Sequence, residues 1–129
     1  MRRGTLLAFA AGAAVGVSLA CFSERSSGPD AAGVSCARAR QAPGPDTAFV
    51  IIEGFAFTPA QLTVAAGTRV VWVNCEPAGT PGHTTTVDAG AWDSPTLTPK
   101  ESFSVQAAPG TYDYHCRPHP FMQGQVVVQ

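Results

Sequence analysis

From residue 48 onward, apolar and polar positions alternate in short runs, and each run ends in a turn signal. The run "AFVIIEGFAF" (48–57) is rich in Val, Ile and Phe, while "QLTVAAGTRVVWVN" (61–74) alternates around an Ala-Gly-Thr turn. Further β-type runs are "HTTTVDAG" (83–90), "SFSVQA" (102–107), "GTYDYHC" (110–116) and "QGQVVVQ" (123–129). Pro59, Pro77, Pro81, Pro95, Pro99 and Pro109 punctuate the intervals, and no segment after residue 46 carries a 3.6-residue period. Short runs of β-branched and aromatic residues with period two predict strands. Strands at this spacing predict an all-β domain, either a sandwich or a small barrel. Val71, Val73, Val87, Phe103, Val105, Tyr112, Tyr114, Val126 and Val128 are the candidate strand-face residues.

The pattern before residue 47 is different. Met1-Arg2-Arg3 is a short positive segment, and "TLLAFAAGAAVGVSLA" (5–20) is a charge-free apolar run of small residues. This is the signature of a secretory signal peptide over 1–20; a retained anchor helix is the alternative, but the run is short and Ala/Gly-rich for one. "SLAC" resembles the lipid-attachment motif of bacterial lipoproteins, with Ser18 where leucine is usual, so Cys21 is either lipidated or lies near an ordinary cleavage point. Residues 21–46, rich in Ser, Gly, Ala and Pro, read as a flexible tether, which leaves 47–129 as the folded domain.

Without residues 1–20 the chain has six basic and nine acidic side chains, a net charge of −3. That balance argues against nucleic acid and against an anionic membrane surface as partners, so any membrane contact would come through a lipid anchor. A domain this small also gains from a covalent or metal cross-link. Of the four cysteines, Cys21 belongs to processing and Cys116 sits among metal donors. Cys36 and Cys75 remain, either as free thiols or as a disulfide favoured by an oxidising compartment.

The candidate chemistry lies in "YDYHCRPHPFMQGQVVV" (112–128), where Cys116, His119 and Met122 follow a Cys-x-x-His-x-x-Met spacing between two strand runs. A loop of this kind can wrap one ion. Thiolate, imidazole and thioether together suit copper, whereas structural zinc prefers further Cys or His over a thioether. A blue-copper centre needs a second histidine, and His83, after a Pro/Gly-rich loop, is placed to supply it. His115 is adjacent to Cys116 on an extended strand and should point the other way.

The segments "FAFTPAQLTVAAGTRVVWVNCEPAGTPGHTTTVD" and "GTYDYHCRPHPFMQGQVVV" resemble the cupredoxins, and within them the plastocyanin/amicyanin group. The ligand loop, with "PHPFM", is closest to that of amicyanin. The resemblance implies a Greek-key β-sandwich of about seven to eight strands holding one copper ion that alternates between Cu(I) and Cu(II). It implies His83, Cys116, His119 and Met122 as ligands, and Asn74 as the residue that ties the two ligand-bearing loops and shields the cysteine sulfur. Two departures bear on local loop shape: Cys75 directly follows that asparagine, and the loop from Asn74 to His83 is a little longer than in amicyanin.

The function implied is that of an exported, monomeric one-electron carrier, periplasmic or otherwise extracytoplasmic, that meets redox proteins transiently. The His119 edge, framed by Pro118, Pro120, Phe121 and Pro81, would be its docking patch. Four protein donors leave no position for substrate, which argues against an enzyme. A copper-delivery module is the main alternative, but such modules favour Met/His-rich or exposed Cys-x-x-Cys motifs that this chain lacks. A structural lipoprotein domain with a degenerate site is the other, and the complete donor set speaks against it.

Overall fold

A computed structural model describes residues 34–129, so the expected signal peptide and Cys21 lie outside the described residues. Seven strands follow one short helix: α1 Cys36–Ala39, β1 Thr47–Glu53, β2 Ala56–Thr58, β3 Gln61–Val64, β4 Arg69–Asn74, β5 Ser102–Val105, β6 Gly110–His115 and β7 Gln123–Val128. They form two sheets, of order β2-β1-β4-β5 and β3-β7-β6. The pairs β1–β4 and β3–β7 are parallel, and the other neighbours are antiparallel. The all-β sandwich expected from the pattern of short strands is the architecture found.

Alternation along the strands fills the space between the sheets. Val50 and Ile52 of β1, Val70 and Trp72 of β4, Tyr114 of β6 and Val126 of β7 point inward into one core with Phe57, Trp92, Leu97 and Met122. Trp72 is fully buried at its centre, with its ring 5.4 Å from Trp92 and 5.4 Å from Tyr114. Burial also pushes the Tyr114 hydroxyl up to about 12, against a smaller opposing effect of the Trp72 indole. The ring lies over Gly124, where a Cβ would overlap it, so the cross-strand partner of Tyr114 has to lack a side chain.

Two expectations differ from the structure. The run 83–90 forms no strand: His83 bridges Leu97, and Thr86 bridges Asp93 and His115, each as an isolated pair. Its threonines read as β-formers, but they spend their hydroxyls on loops instead, Thr85 accepting from Trp92 Nε1 and Thr86 bonding Asp93. The second difference is in the expected tether, whose described part, from residue 34, packs on the outer face of the first sheet. Ser35 caps α1 by accepting from the Arg38 N–H, and Ala39, Val34 and Cys36 cover Val71, Val73, Phe49 and Ile51. β4 is therefore buried on both faces, and Val71 and Val73 belong to this second cluster rather than to the main core.

A disulfide joins Cys36 to Cys75, across 39 positions of sequence, and fixes α1 to the end of β4. In the chain-entropy account, closing a loop of that length stabilises the fold by about 3–4 kcal/mol. Replacing both cysteines (C36S with C75S) should therefore lower the unfolding free energy by about that amount in urea titration. A change below about 1 kcal/mol would show that the packing of α1, and not the covalent tie, holds this segment.

Candidate metal centre

The loop from Cys116 to Met122 closes on itself through its own backbone. Cys116 N–H donates to the Met122 carbonyl (3.0 Å), His119 N–H to the Cys116 carbonyl (3.2 Å) and Met122 N–H to the His119 carbonyl (2.8 Å). Pro118 and Pro120 have no N–H to compete in this turn and hold their φ near −65°. Three linked bonds over seven residues bring the thiol of Cys116, the imidazole of His119 and the buried Met122 to one end of the sandwich.

His83 arrives from a separate segment. Its backbone exchanges two hydrogen bonds with Leu97, His83 N–H to the Leu97 carbonyl at 3.0 Å and Leu97 N–H to the His83 carbonyl at 2.7 Å. The preceding Gly82 lets the two chains approach, because a Cβ there would run into the Thr96 side chain and the Leu97 carbonyl. His83 Nδ1 then lies 3.8 Å from Cys116 Sγ, and His119 Nδ1 lies 3.6 Å from the same sulfur. One donor atom each from His83, Cys116 and His119 fall within 4.8 Å of one another. Cys116 and His83 are fully buried, and His119 is half-buried at the rim.

The surroundings of this triad hold it still. Thr84 N–H points at Cys116 Sγ (3.4 Å), and Thr84 Oγ1 accepts the Arg117 N–H (2.9 Å). Thr84 is thus the direct stitch between the His83 segment and the cysteine loop. The resemblance assigns that stitch to Asn74, but its side chain instead donates to the Leu97 carbonyl (2.8 Å) and accepts the Glu76 N–H (3.0 Å). It supports the His83 segment through Leu97 and does not bond the 116–122 loop. His115 points away, as strand alternation predicts, with Nδ1 3.8 Å from Asp88 at the surface.

Besides Thr84, two residues of the site carry no sequence signal. Phe55 sits in the two-residue turn between β1 and β2, and its ring meets His83 (5.2 Å) and His119 (5.1 Å) edge-on. Glu76 is buried behind His83, with Oε1 3.4 Å from Nε2. Around the rim Phe121 is 72 % exposed, Pro81, Pro118 and Pro120 are exposed, and the ring centroid of Phe121 is 6.0 Å from that of His119. Together with Phe55 they surround the one histidine of the triad that reaches solvent with apolar surface.

Residues 16–128 match the family described as the cupredoxin-like domain. Amicyanin-alpha of Methylorubrum extorquens is 38% identical over 86 residues, covering 62% of this chain and 70% of that protein. Amicyanin of Paracoccus denitrificans is 36% identical over 88 residues, covering 65% and 67%. Among solved structures, a variant of amicyanin in its Cu(I) form superposes with a TM-score of 0.60 at 34% identity, over 67% of this chain and 85% of that one. A second variant, in a reduced Cu(I) form, gives a TM-score of 0.62 at 33% identity, over 81% and 95%.

Burial pushes the His83 imidazole below the ordinary histidine value, the nearby His119 pushes it the same way, and the Glu76 carboxylate opposes both. A histidine held neutral in the fold takes up its proton more readily when unfolded. In protein stripped of metal, its contribution is therefore fully present above the unfolded value of about 6.5 and is lost as pH falls from there toward the folded value. Urea midpoints of chelator-treated protein should fall between pH 7 and pH 5, at a rate of up to about 1.4 kcal/mol per pH unit from this one group. The fall should be shallower in His83→Gln; equal slopes would show that His83 is not the group responsible.

Proposed function

The chain belongs to the cupredoxin-like family, and on that footing we propose that it is a mononuclear blue-copper protein that carries single electrons between redox partners. The convergence of His83 Nδ1, His119 Nδ1 and Cys116 Sγ within 4.8 Å, with Met122 buried in the same closed loop, carries this reading. Two imidazoles, one thiolate and one thioether match copper by softness and geometry, and suit zinc poorly. His83, Cys116, His119 and Met122 would hold the ion. When bound, copper supplies a one-electron Cu(II)/Cu(I) couple.

The protein's part is to keep the donors where they are in both oxidation states. The three backbone bonds of the 116–122 loop, the two between His83 and Leu97, and the Thr84 contacts fix every donor-bearing segment from outside the ion. Close packing around Trp72 resists adjustment behind them. The Thr84 N–H directed at the cysteine sulfur withdraws charge from the thiolate and so tunes the potential. Four protein donors leave no position for a substrate, which favours a carrier over a catalyst. The apolar surface of Phe55, Pro81, Pro118, Pro120 and Phe121 around His119 suits brief contact with a partner, because small redox interfaces release quickly.

Export belongs to the same proposal. Residues 1–20 would direct the chain out of the cytoplasm, and the Cys36–Cys75 disulfide fits an oxidising compartment such as the periplasm. Cys21 would be the point of lipid attachment or would lie close to the cleavage site.

The visible spectrum of the processed protein after addition of Cu(II) tests the reading. An intense blue thiolate-to-copper band that bleaches with a mild reductant and is missing from Cys116→Ser is the expected result. A pale spectrum with copper still bound would overturn the electron-carrier reading in favour of copper delivery.

A further inference from the structure

Arg117 directly follows Cys116 and enters the site twice. Its backbone N–H donates to Thr84 Oγ1 at 2.9 Å, and its guanidinium Nη2 donates to Asp93 Oδ2 at 2.5 Å on the surface. Two buried hydroxyls span the space between. Thr84 Oγ1 lies 3.3 Å from Thr86 Oγ1, and Thr86 Oγ1 donates to Asp93 Oδ1 at 2.9 Å. The contacts form a closed ring that starts and ends on one residue, from the Arg117 N–H through Thr84, Thr86 and Asp93 back to the Arg117 guanidinium.

The hydrogens of this ring have one consistent arrangement. A threonine hydroxyl has a single proton, and a carboxylate only accepts. Thr86 gives its proton to Asp93, so Thr84 is the donor and Thr86 the acceptor in the contact between the two threonines. Thr84 in turn accepts from the Arg117 N–H. All of these bonds point toward the Asp93 carboxylate, whose other oxygen takes the guanidinium. Bonds aligned head to tail polarise one another, and each member strengthens the next. Backbone pairing braces the corners. Thr86 exchanges two hydrogen bonds of 3.0 Å with His115, the last residue of β6. The segment that carries Asp93 is held on both sides, by Ser94 N–H to the Thr85 carbonyl and Val87 N–H to the Trp92 carbonyl, each at 3.0 Å. Asp93 therefore stands on a braced loop, and the Arg117 side chain carries the ring across the surface to the ligand loop.

We propose that Asp93 and Arg117 are positioning residues for Cys116: their ion pair closes the ring and so holds Thr84, whose backbone N–H faces the Cys116 sulfur at 3.4 Å, at a fixed distance from that sulfur. The proposal rests on the copper reading of the pocket, in which a hydrogen bond to the sulfur tunes the potential. The two side chains have opposite charges, so acting as charges alone they would have opposite effects. Loss of the anion would favour Cu(I), and loss of the cation would favour Cu(II). Through the ring their effects have the same sign. Either loss opens it, relaxes the N–H contact and leaves more negative charge on the sulfur, which favours Cu(II). An exposed ion pair adds little to stability by itself, so variants of either residue keep the fold.

Asp93→Asn and Arg117→Gln in the full processed protein test this, with Glu53→Gln, which breaks the exposed Arg40–Glu53 pair, as control. Asparagine keeps an acceptor for Thr86 but turns an amide donor toward the guanidinium. In chelator-treated protein, amide hydrogen exchange at Thr84 should be about tenfold faster in both variants than in the wild type and unchanged in Glu53→Gln. Unchanged exchange at Thr84 overturns the proposal. In copper-loaded protein, both variants should shift the Cu(I)/Cu(II) ratio at fixed potential about threefold toward Cu(II). Thr86→Val, which breaks the ring without changing charge, should do the same, and Arg117→Lys should restore the wild-type ratio. Shifts of opposite sign in Asp93→Asn and Arg117→Gln would show that the side chains act only as charges, and would also overturn it. Faster Thr84 exchange in both variants of a protein that gives no blue band would uphold the positioning role and defeat the electron-carrier reading instead.

Discussion

A fully buried thiol at the neck of a seven-residue loop sets the terms for the whole end of the sandwich. Cys116 directly follows β6, and its sulfur can be buried there only because the loop turns back at once to place Met122 and His119 around it. Burial removes water as a partner, so each polar group nearby needs a protein partner. Thr84 answers for the sulfur and for the Arg117 N–H, Leu97 for the His83 backbone, and Asn74 for Leu97 and Glu76. These contacts form one connected set running from the end of β4 to the start of β7. A set in which every member satisfies another is stiff, and stiffness suits the proposed role, in which the ligands serve two charge states.

The first sheet bears on this set through a neighbouring segment. Cys75 is bonded to Cys36, with Asn74 on one side of it and Glu76 on the other, so the covalent tie falls between two residues that serve the site. The same tie seats α1 over Val71 and Val73 and buries the outer face of β4. A strand covered on both faces and hydrogen-bonded on both edges has little freedom to shift, which fixes where its last residues lie. The N-terminal segment is in this sense part of the frame that positions His83, although it lies outside the donor set.

The apolar rim arises from the same placement. Phe55 is carried to the His119 edge by the turn between β1 and β2, and Phe121 by the ligand loop itself. The exposed prolines, Pro81 before His83 and Pro118 and Pro120 in the ligand loop, add apolar surface to this rim. Burial thus grades from His83, wholly enclosed, to His119, half-buried among these residues, and the grading gives the site one outward-facing edge.

The class of fold and the proposed donor set are legible in the chain alone. Short period-two runs broken by prolines admit little but a small all-β domain, and Cys116, His119 and Met122 are adjacent enough in the chain for their spacing to carry meaning. His83 is legible because histidines are few here and this one precedes a β-type run. The remaining features depend on packing in three dimensions. Glu76, Thr84 and Phe55 have residue types that occur in any loop, and their roles arise from neighbours 7 to 64 positions away that no local pattern encodes. "HTTTVDAG" reads as a strand because β-branched content is a local property, whereas pairing depends on what lies alongside, and what lies alongside is a set of loops that claim the threonine hydroxyls. Residues 34–46 read as tether because their composition lacks an apolar period; a single disulfide and one helical turn hold them down, and contacts of that kind are settled only when distant segments of the chain meet.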